Sequence, residues 1–273
     1  CPFWDRRQQR YVAILRFGPP NTRIVSRTES EDFLHWSPKV TVLRRAKLDV
    51  PLRTQFYQMA PMTYGDVYVG LIAAYHSETL KPLPPDKPWT DRKNLQLVFS
   101  RNGLTWSRVG RHGAISQSDL QKDRDWQRIA VEAVFLPYGK KDKEWDWGTV
   151  SPYFTPEPIV RGDEIWFYYC AGAMEHGITG RSGPICLAKL RLDGFVSVDA
   201  GQDAGSLITK PFRCEGGPLK INASARGGMV GVAVLDESGI QYQGYSRQEC
   251  ALFDGDSVGH SVTWREKLSL EEL

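Results

Sequence analysis

The segment Arg23–Trp36, RIVSRTESEDFLHW, has a counterpart in Leu95–Trp106, LQLVFSRNGLTW. In each, a strand-like run ends on Ser (Ser30, Ser100) and an Asp or Asn follows two residues later (Asp32, Asn102). A Trp then stands six residues after the Ser (Trp36, Trp106). Asp, Asn and Gly tolerate the left-handed backbone that a tight turn demands, the Ser hydroxyl can bond the turn backbone, and the Trp covers the turn from the returning strand. A degenerate third copy, Ile185–Ser197, keeps the strand and an Asp193-Gly194 turn but replaces the Trp. Self-similarity of this kind is the mark of a repeat architecture.

A further pair of strand-like runs precedes each turn: Phe3–Asp5 with Tyr11–Arg16, Phe56–Thr63 with Val67–His76, and Thr149–Val160 with Glu164–Cys170. Each pair reverses at a short polar segment, Arg7–Gln9, Tyr64–Asp66 or Arg161–Asp163. Each unit is therefore expected to be four antiparallel strands, the pattern of a propeller blade. The sequence predicts an all-β chain: a partial β-propeller over 1–201, with three blades at 1–43, 55–115 and 146–201, followed by a β-sandwich segment over 202–273. Because a propeller closes with ~4–8 blades, the chain is expected to be cut at both ends from a longer protein. In the sandwich segment the clearest hairpin turn is Asp236–Gly239.

Composition agrees with this class. Nine Trp, 11 Tyr and 11 Phe accompany 25 Gly and 17 Pro in 273 residues, which favours short strands and tight turns over long helices. The 35 basic and 32 acidic residues are interspersed, leaving a net charge of +3 and no basic stripe for nucleic acid. No apolar run approaches the roughly 18 residues of a membrane helix. The five cysteines, Cys1, Cys170, Cys186, Cys214 and Cys250, form no C-x-x-C pair, so no zinc site is expected and they read as buried free thiols. No Gly-rich phosphate loop, G-x-S-x-G elbow or H-E-x-x-H is present, so no cofactor is expected; a structural calcium ion is compatible with the chain but not indicated by it. Oligomeric state is left open.

In an antiparallel hairpin the start of the inner strand and the end of the next share one edge. That rim collects Trp4, Asp5 and Arg16 from the first blade, Tyr57, Gln58, Tyr75 and His76 from the second, and Asp146, Trp147, Glu175 and His176 from the third. Asp146, flanked by Trp145 and Trp147, and Glu175 are the candidate catalytic carboxylates; the others are candidate substrate-binding residues. The competing structural readings are a turn cap for Asp146, a solvated Glu175, a turn role for Asp5, an ion pair for Arg16 and ordinary rim histidines. Asp142, Glu144 and Asp146 alternate with lysines and read as a charged loop rather than a metal cluster. His35 belongs to its turn.

The succession of S-x-D-F-x-H-W at Ser30–Trp36, the aromatic inner strand at Gln55–Pro61, S-x-N-G-x-x-W at Ser100–Trp106, Asp146-Trp147-Gly148 and GDEIWFYY at Gly162–Tyr169 resembles the five-bladed propeller glycoside hydrolases. These are the family 32, 43, 68 and 130 type, with family 32 N-terminal-like architecture and a trailing β-sandwich. The resemblance implies carboxylates at the starts of successive inner strands: a base or nucleophile, a carboxylate in an Arg-Asp-Pro motif, and an acid in a Glu-Cys-Pro type motif. Here the inner strand Gln55–Pro61 carries no Glu, and the blade for the first Asp would lie before Cys1. The implied activity is hydrolysis of a poly- or oligosaccharide, with a carbohydrate partner and, from that substrate class, a secreted or periplasmic location. A non-catalytic carbohydrate-binding propeller and a structural interaction propeller are the alternatives.

Overall fold

The computed structural model describes residues 2–18, 23–44, 54–76, 92–109, 134–141, 143–152, 159–174, 183–271 and 273. Among them every regular element is a strand, as expected, and no helix is long and apolar enough to cross a membrane. The chain divides into two compact units, Cys1–Ile159 with Trp166–Lys189, and Val160–Ile165 with Leu190–Leu273.

The first unit opens with a four-stranded antiparallel sheet: β1 (Pro2–Asp5), β2 (Arg10–Phe17), β3 (Ile24–Ser30) and β4 (Val40–Leu43), in that spatial order. It is the up-and-down blade that the repeat predicts. A second meander follows, β5 (Thr54–Tyr64), β6 (Val67–His76) and β7 (Arg92–Ser100), with β8 (Ser107–Arg108) and β9 (Val134–Leu136) both on β7. The third group is β10 (Thr149–Pro152), β12 (Glu164–Gly172) and β13 (Ile185–Arg191). Within the run predicted as a strand over Thr149–Val160, the described residues form β10 and β11 (Ile159–Arg161), and β11 reverses through Gly162, at φ 58, into β12. The second and third groups are not separate sheets: one parallel pairing, Thr149 with Lys93, joins β10 to β7.

Period-two alternation puts Val12 and Ile14 of β2 on one face, where they join Val25, Val42 and Leu43. Phe56, Met59, Tyr68, Ile72, Val98 and Trp106 of the second sheet complete the same cluster, so the two sheets pack face to face. Gly70 of β6 makes room for the Trp106 indole, since a Cβ there would stand 3.1 Å from the ring.

The repeated turns coincide bond for bond. Ser30 Oγ accepts from the amides of Asp32 (3.3 Å) and Phe33 (2.9 Å), and Asp32 Oδ1 accepts from those of Leu34 and His35 (both 2.8 Å). Ser100 Oγ accepts from Asn102 (3.3 Å) and Gly103 (2.9 Å), and Asn102 Oδ1 from Leu104 (2.9 Å) and Thr105 (2.8 Å). Trp36 and Trp106 each donate an indole N–H, at 3.0 Å, to the carbonyl of the third turn residue, Phe33 or Gly103. Both of those residues are left-handed, with φ 67 and φ 71.

The second unit surrounds a core of Tyr245, Cys250, Val262, Trp264 and Leu270. Over Leu190–Leu273 a ladder pairs β14 (Lys220–Ser224) with β15 (Asp256–Ser261). Isolated bridges such as Val230 with Phe253 and Cys250 with Trp264 extend the strand-like pairing. Trp264 is fully buried and donates its indole N–H to the Val232 carbonyl at 2.8 Å. The Asp236–Gly239 turn is present, with Asp236 Oδ1 accepting from the amides of Ser238 and Ile240. Cys170, Cys186, Cys214 and Cys250 are free thiols; Cys250 is buried, Cys170 and Cys186 half-buried, and Cys214 exposed, which corrects the expectation of burial for the last.

Tyr68 links the first two sheets by donating its hydroxyl to the buried Asp5 carboxylate at 2.8 Å. Tyr68→Phe is expected to lower unfolding free energy by about 1–3 kcal/mol, read from urea denaturation, because it leaves that carboxylate short of a donor. The exposed His35 ring lies 2.6 Å from Asp32 Oδ2, and that contact raises the His35 pKa above its ordinary value. The protonated imidazolium therefore supports the turn below the ordinary histidine value and loses that role as pH rises through the raised one. Titration of His35 by NMR should show ionisation above the free-imidazole range, and Asp32→Asn should return it there.

Candidate functional site

The β5–β6 ladder pairs Phe56 with Ala74 and Gln58 with Ala73, so Tyr57 is the extra residue of a β-bulge. A bulge re-aims the side chain it carries. Three cations from three other strands or strand ends converge on the Tyr57 ring. Arg16 of β2 lies 4.5 Å from its centroid, Lys93 of β7 4.6 Å, and Arg23, just before β3, 5.3 Å. Tyr75 stands beside Tyr57, with centroids 6.4 Å apart, and is itself 5.6 Å from Arg23.

Arg23 and Lys93 are held in place. Arg23 donates from Nη1 to Gln55 Oε1 at 2.6 Å, while its carbonyl accepts from the Phe56 amide at 3.2 Å. The Lys93 ammonium, on a residue only 6 % exposed, donates to Ser151 Oγ at 3.0 Å. Gln58 donates to the Pro152 carbonyl at 3.1 Å, so β10 borders the cluster on its far side. The Tyr57 ring acts as a scaffold on which the cations rest, worth roughly 0.5–2 kcal/mol for each contact.

Of the candidates read from the sequence, Arg16, Tyr57 and Tyr75 come together here, with Gln58 alongside. Trp4 and Asp5 do not. Asp5 pairs with Arg10 at the hairpin end of β1, six residues along β2 from Arg16, or about 20 Å of extended chain. The strand β1 runs toward its turn, so its carboxyl end faces away from the Arg16 end of β2. Asp5 is buried and serves the fold, accepting from the amides of Arg7 and Gln8 and from Tyr68. Trp4 packs edge-on against Tyr11 at 4.8 Å.

Arg16 and His76, expected on one rim at the ends of their strands, do not hold the same place in the repeat. Counted from the residue that pairs with each turn serine, Tyr11 or Tyr68, Arg16 matches Ala73, and the His76 backbone lies three residues further on, paired with Thr54 and Arg92. The His76 side chain, Glu175, His176 and Asp142 lie outside the described residues.

Asp146 and Trp147 occupy the segment leading into β10, where both are half-buried. Asp146 Oδ2 accepts the Tyr169 hydroxyl at 2.8 Å. Burial, and then this contact with a carboxylate, pushes the Tyr169 phenol well above its ordinary pKa; burial and Asp146 push the Cys186 thiol up as well. Lys141 stands 5.3 Å from the Trp147 ring centroid, and Glu144 accepts the Lys140 amide at 2.6 Å. Among the described residues no group of three or more His, Cys, Asp and Glu side chains is gathered for a metal ion.

Two members of the cluster, Arg23 and Lys93, were not singled out from the sequence. A signal for them exists: each precedes its turn serine, Ser30 or Ser100, by seven residues, so both sit at one position of the repeat.

No protein-family model and no curated protein matches the chain. Among solved structures it is similar to an N-acetylgalactosamine deacetylase from F. plautii in complex with blood group B trisaccharide, at 16% identity over 70% of this chain and 49% of that one, with a TM-score of 0.43. It is similar to Zg3597, a family 117 glycoside hydrolase from the marine bacterium Zobellia galactanivorans, at 15% identity over 69% and 50%, TM-score 0.43. A third likeness is to an exo-inulinase from Aspergillus awamori, at 10% identity over 93% and 50%, TM-score 0.37. The chain spans about half the length of each.

The Asp146–Tyr169 contact has a spectroscopic consequence. In an ultraviolet pH titration Tyr169 should be among the last tyrosines to ionise, and Tyr169→Phe should remove that late step while the earlier ones remain.

Proposed function

We propose that the chain is a carbohydrate-acting propeller module, a glycoside hydrolase of the resembled type acting on a poly- or oligosaccharide. The substrate lies along the rim built by Arg16, Tyr57, Gln58 and Tyr75, and Asp146 with Glu175 forms the carboxylate pair. The observation that carries the reading is the continuity of β10. The segment entering this strand bears Asp146 and Trp147, and its Ser151 and Pro152 bond Lys93 and Gln58 at the Tyr57 cluster. Through β10 a half-buried carboxylate and an indole are linked to a set of N–H donors, a combination that supports recognition of a ring rich in hydroxyls.

Hydrolysis of a glycosidic bond needs two carboxyl groups about 5–10 Å apart, one giving a proton and one acting as base or nucleophile. The Tyr169 hydroxyl, donating to Asp146 Oδ2, fixes the orientation of that carboxylate, which takes the base or nucleophile role. Proton donation then falls to Glu175. A secreted or periplasmic location follows from such a substrate.

The second reading is a non-catalytic carbohydrate-binding module. The inner strand Gln55–Pro61 carries no carboxylate, and Asp5 is committed to Tyr68 and its turn, which favours this alternative.

Screening on aryl glycosides, fructans, arabinans and mannosides separates the two. Turnover that falls by about 100-fold or more in both Asp146→Asn and Glu175→Gln supports hydrolysis by this pair. Turnover insensitive to both changes removes the pair, and glycan binding without turnover supports the second reading.

A further inference from the structure

We propose that the Tyr57 cluster binds an acidic sugar unit, one whose ring carries a carboxylate or a sulfate, within the glycan of the functional reading on which this inference rests. Arg16, Arg23 and Lys93 all lie within 5.3 Å of one ring centroid. Any two of these charges are therefore within about 10 Å of each other, close to one Debye length in physiological salt, so they repel and their fields add. Among the described residues no carboxylate pairs with Arg16 or Arg23; Arg23 is tied to the neutral Gln55 amide and Arg16 to the Tyr57 face. By contrast, the cations elsewhere in the first sheet are matched: Arg10 and Arg27 both bond Glu29, at 2.7 and 2.8 Å.

The geometry also limits what fits. Arg23 is immobilised at its backbone by Phe56 and at its head by Gln55, and Lys93 is buried, so two of the three donors are fixed before a ligand arrives. Arg16 is exposed and free to add a planar fork of N–H donors, the geometry that pairs with carboxylate or sulfate oxygens. A neutral sugar would satisfy hydrogen bonds here but would leave the Arg16 and Arg23 charges without an anion. An oxyanion matches both.

The test is isothermal titration calorimetry on the whole chain with three oligosaccharides of equal length: a galacturonate oligomer, a sulfated galactan and a neutral galactan. Tighter binding of an acidic oligomer by about 10-fold or more over the neutral one is expected; preference for the uronate assigns a carboxylate, and preference for the sulfated chain a sulfate. Arg16→Gln and Arg23→Gln should each abolish most of that preference, while removal of the exposed Lys210 and Arg213 charges, Lys210→Ala with Arg213→Ala, should leave it intact. Because Arg16 is exposed, its variant keeps the fold, verified by an unchanged urea midpoint. Equal or tighter binding of the neutral oligomer overturns the acidic assignment and leaves the carbohydrate reading standing. An acidic preference that survives both Arg changes also overturns it, as general electrostatics. Failure to bind any of the three, or any glycan in the wider screen, overturns the functional reading itself.

Discussion

A carboxylate taken out of water is costly unless donors surround it, and Asp5 imposes that condition on the first unit. Two of its donors are the amides of its own turn, Arg7 and Gln8, and the third is the Tyr68 hydroxyl, contributed by the next sheet. Gln8 extends the joint, donating to Tyr68 and to the Asn102 carbonyl while accepting from Arg27. Arg27, almost wholly buried, is tied in turn to Glu29. The two sheets are thus fastened by a polar network at one end, by the apolar cluster from Val12 to Trp106 in the middle, and by the Arg23–Phe56 backbone bond at the other end.

That threefold fastening is what makes the Tyr57 cluster a defined object. Arg16 and Arg23 belong to the first sheet, Tyr57, Tyr75 and Lys93 to the second, so their meeting depends on the sheets neither sliding nor rotating. The bulge supplies the second requirement. Phe56 and Met59 both face the core although they stand three residues apart, and the inserted residue is what lets Tyr57 and Gln58 both stand off that face without displacing the strand. Ladder register beyond the bulge resumes from Gln58 paired with Ala73 through to Tyr64 paired with Val67.

What the sequence discloses follows from how far apart the interacting residues are. The turns were legible because every bond that defines them joins residues within three positions of one another, and a serine, an Asx and a tryptophan at fixed spacing dictate the backbone between them. The four-stranded first sheet followed from the same spacing. Asp5 looked like a rim residue because its partner, Tyr68, lies 63 positions away. Arg16 and His76 look alike in the sequence because each closes a strand-like run, Tyr11–Arg16 and Val67–His76. Counting from the turn serine shows the true match to be Ala73 and also yields Arg23 and Lys93 as equivalents. The pairing of Thr149 with Lys93, which merges two expected blades, is a long-range contact with no local signature.

The two copies of the turn also show how a shared backbone is fitted to different surroundings. At the left-handed third position stands Phe33 in one and Gly103 in the other. A Cβ on Gly103 would lie 3.1 Å from Arg27 Nη1 and 3.3 Å from Gln8 Nε2, so a side chain on the second turn would press on the first sheet's polar joint. The first turn receives no such neighbour among the described residues. There the left-handed strain of about 1–2 kcal/mol on a non-glycine residue is offset by ring packing, with Phe33 edge-on to Tyr11 at 5.0 Å and to Trp36 at 5.5 Å. Trp4 continues that row through Tyr11, leaving an aromatic face on the first sheet at the position where, on the second, Tyr68 turns inward to Asp5. Tyr11 and Tyr68 occupy the same place in the repeat, opposite Ser30 and Ser100, and their different partners follow from which side of the joint each one stands on.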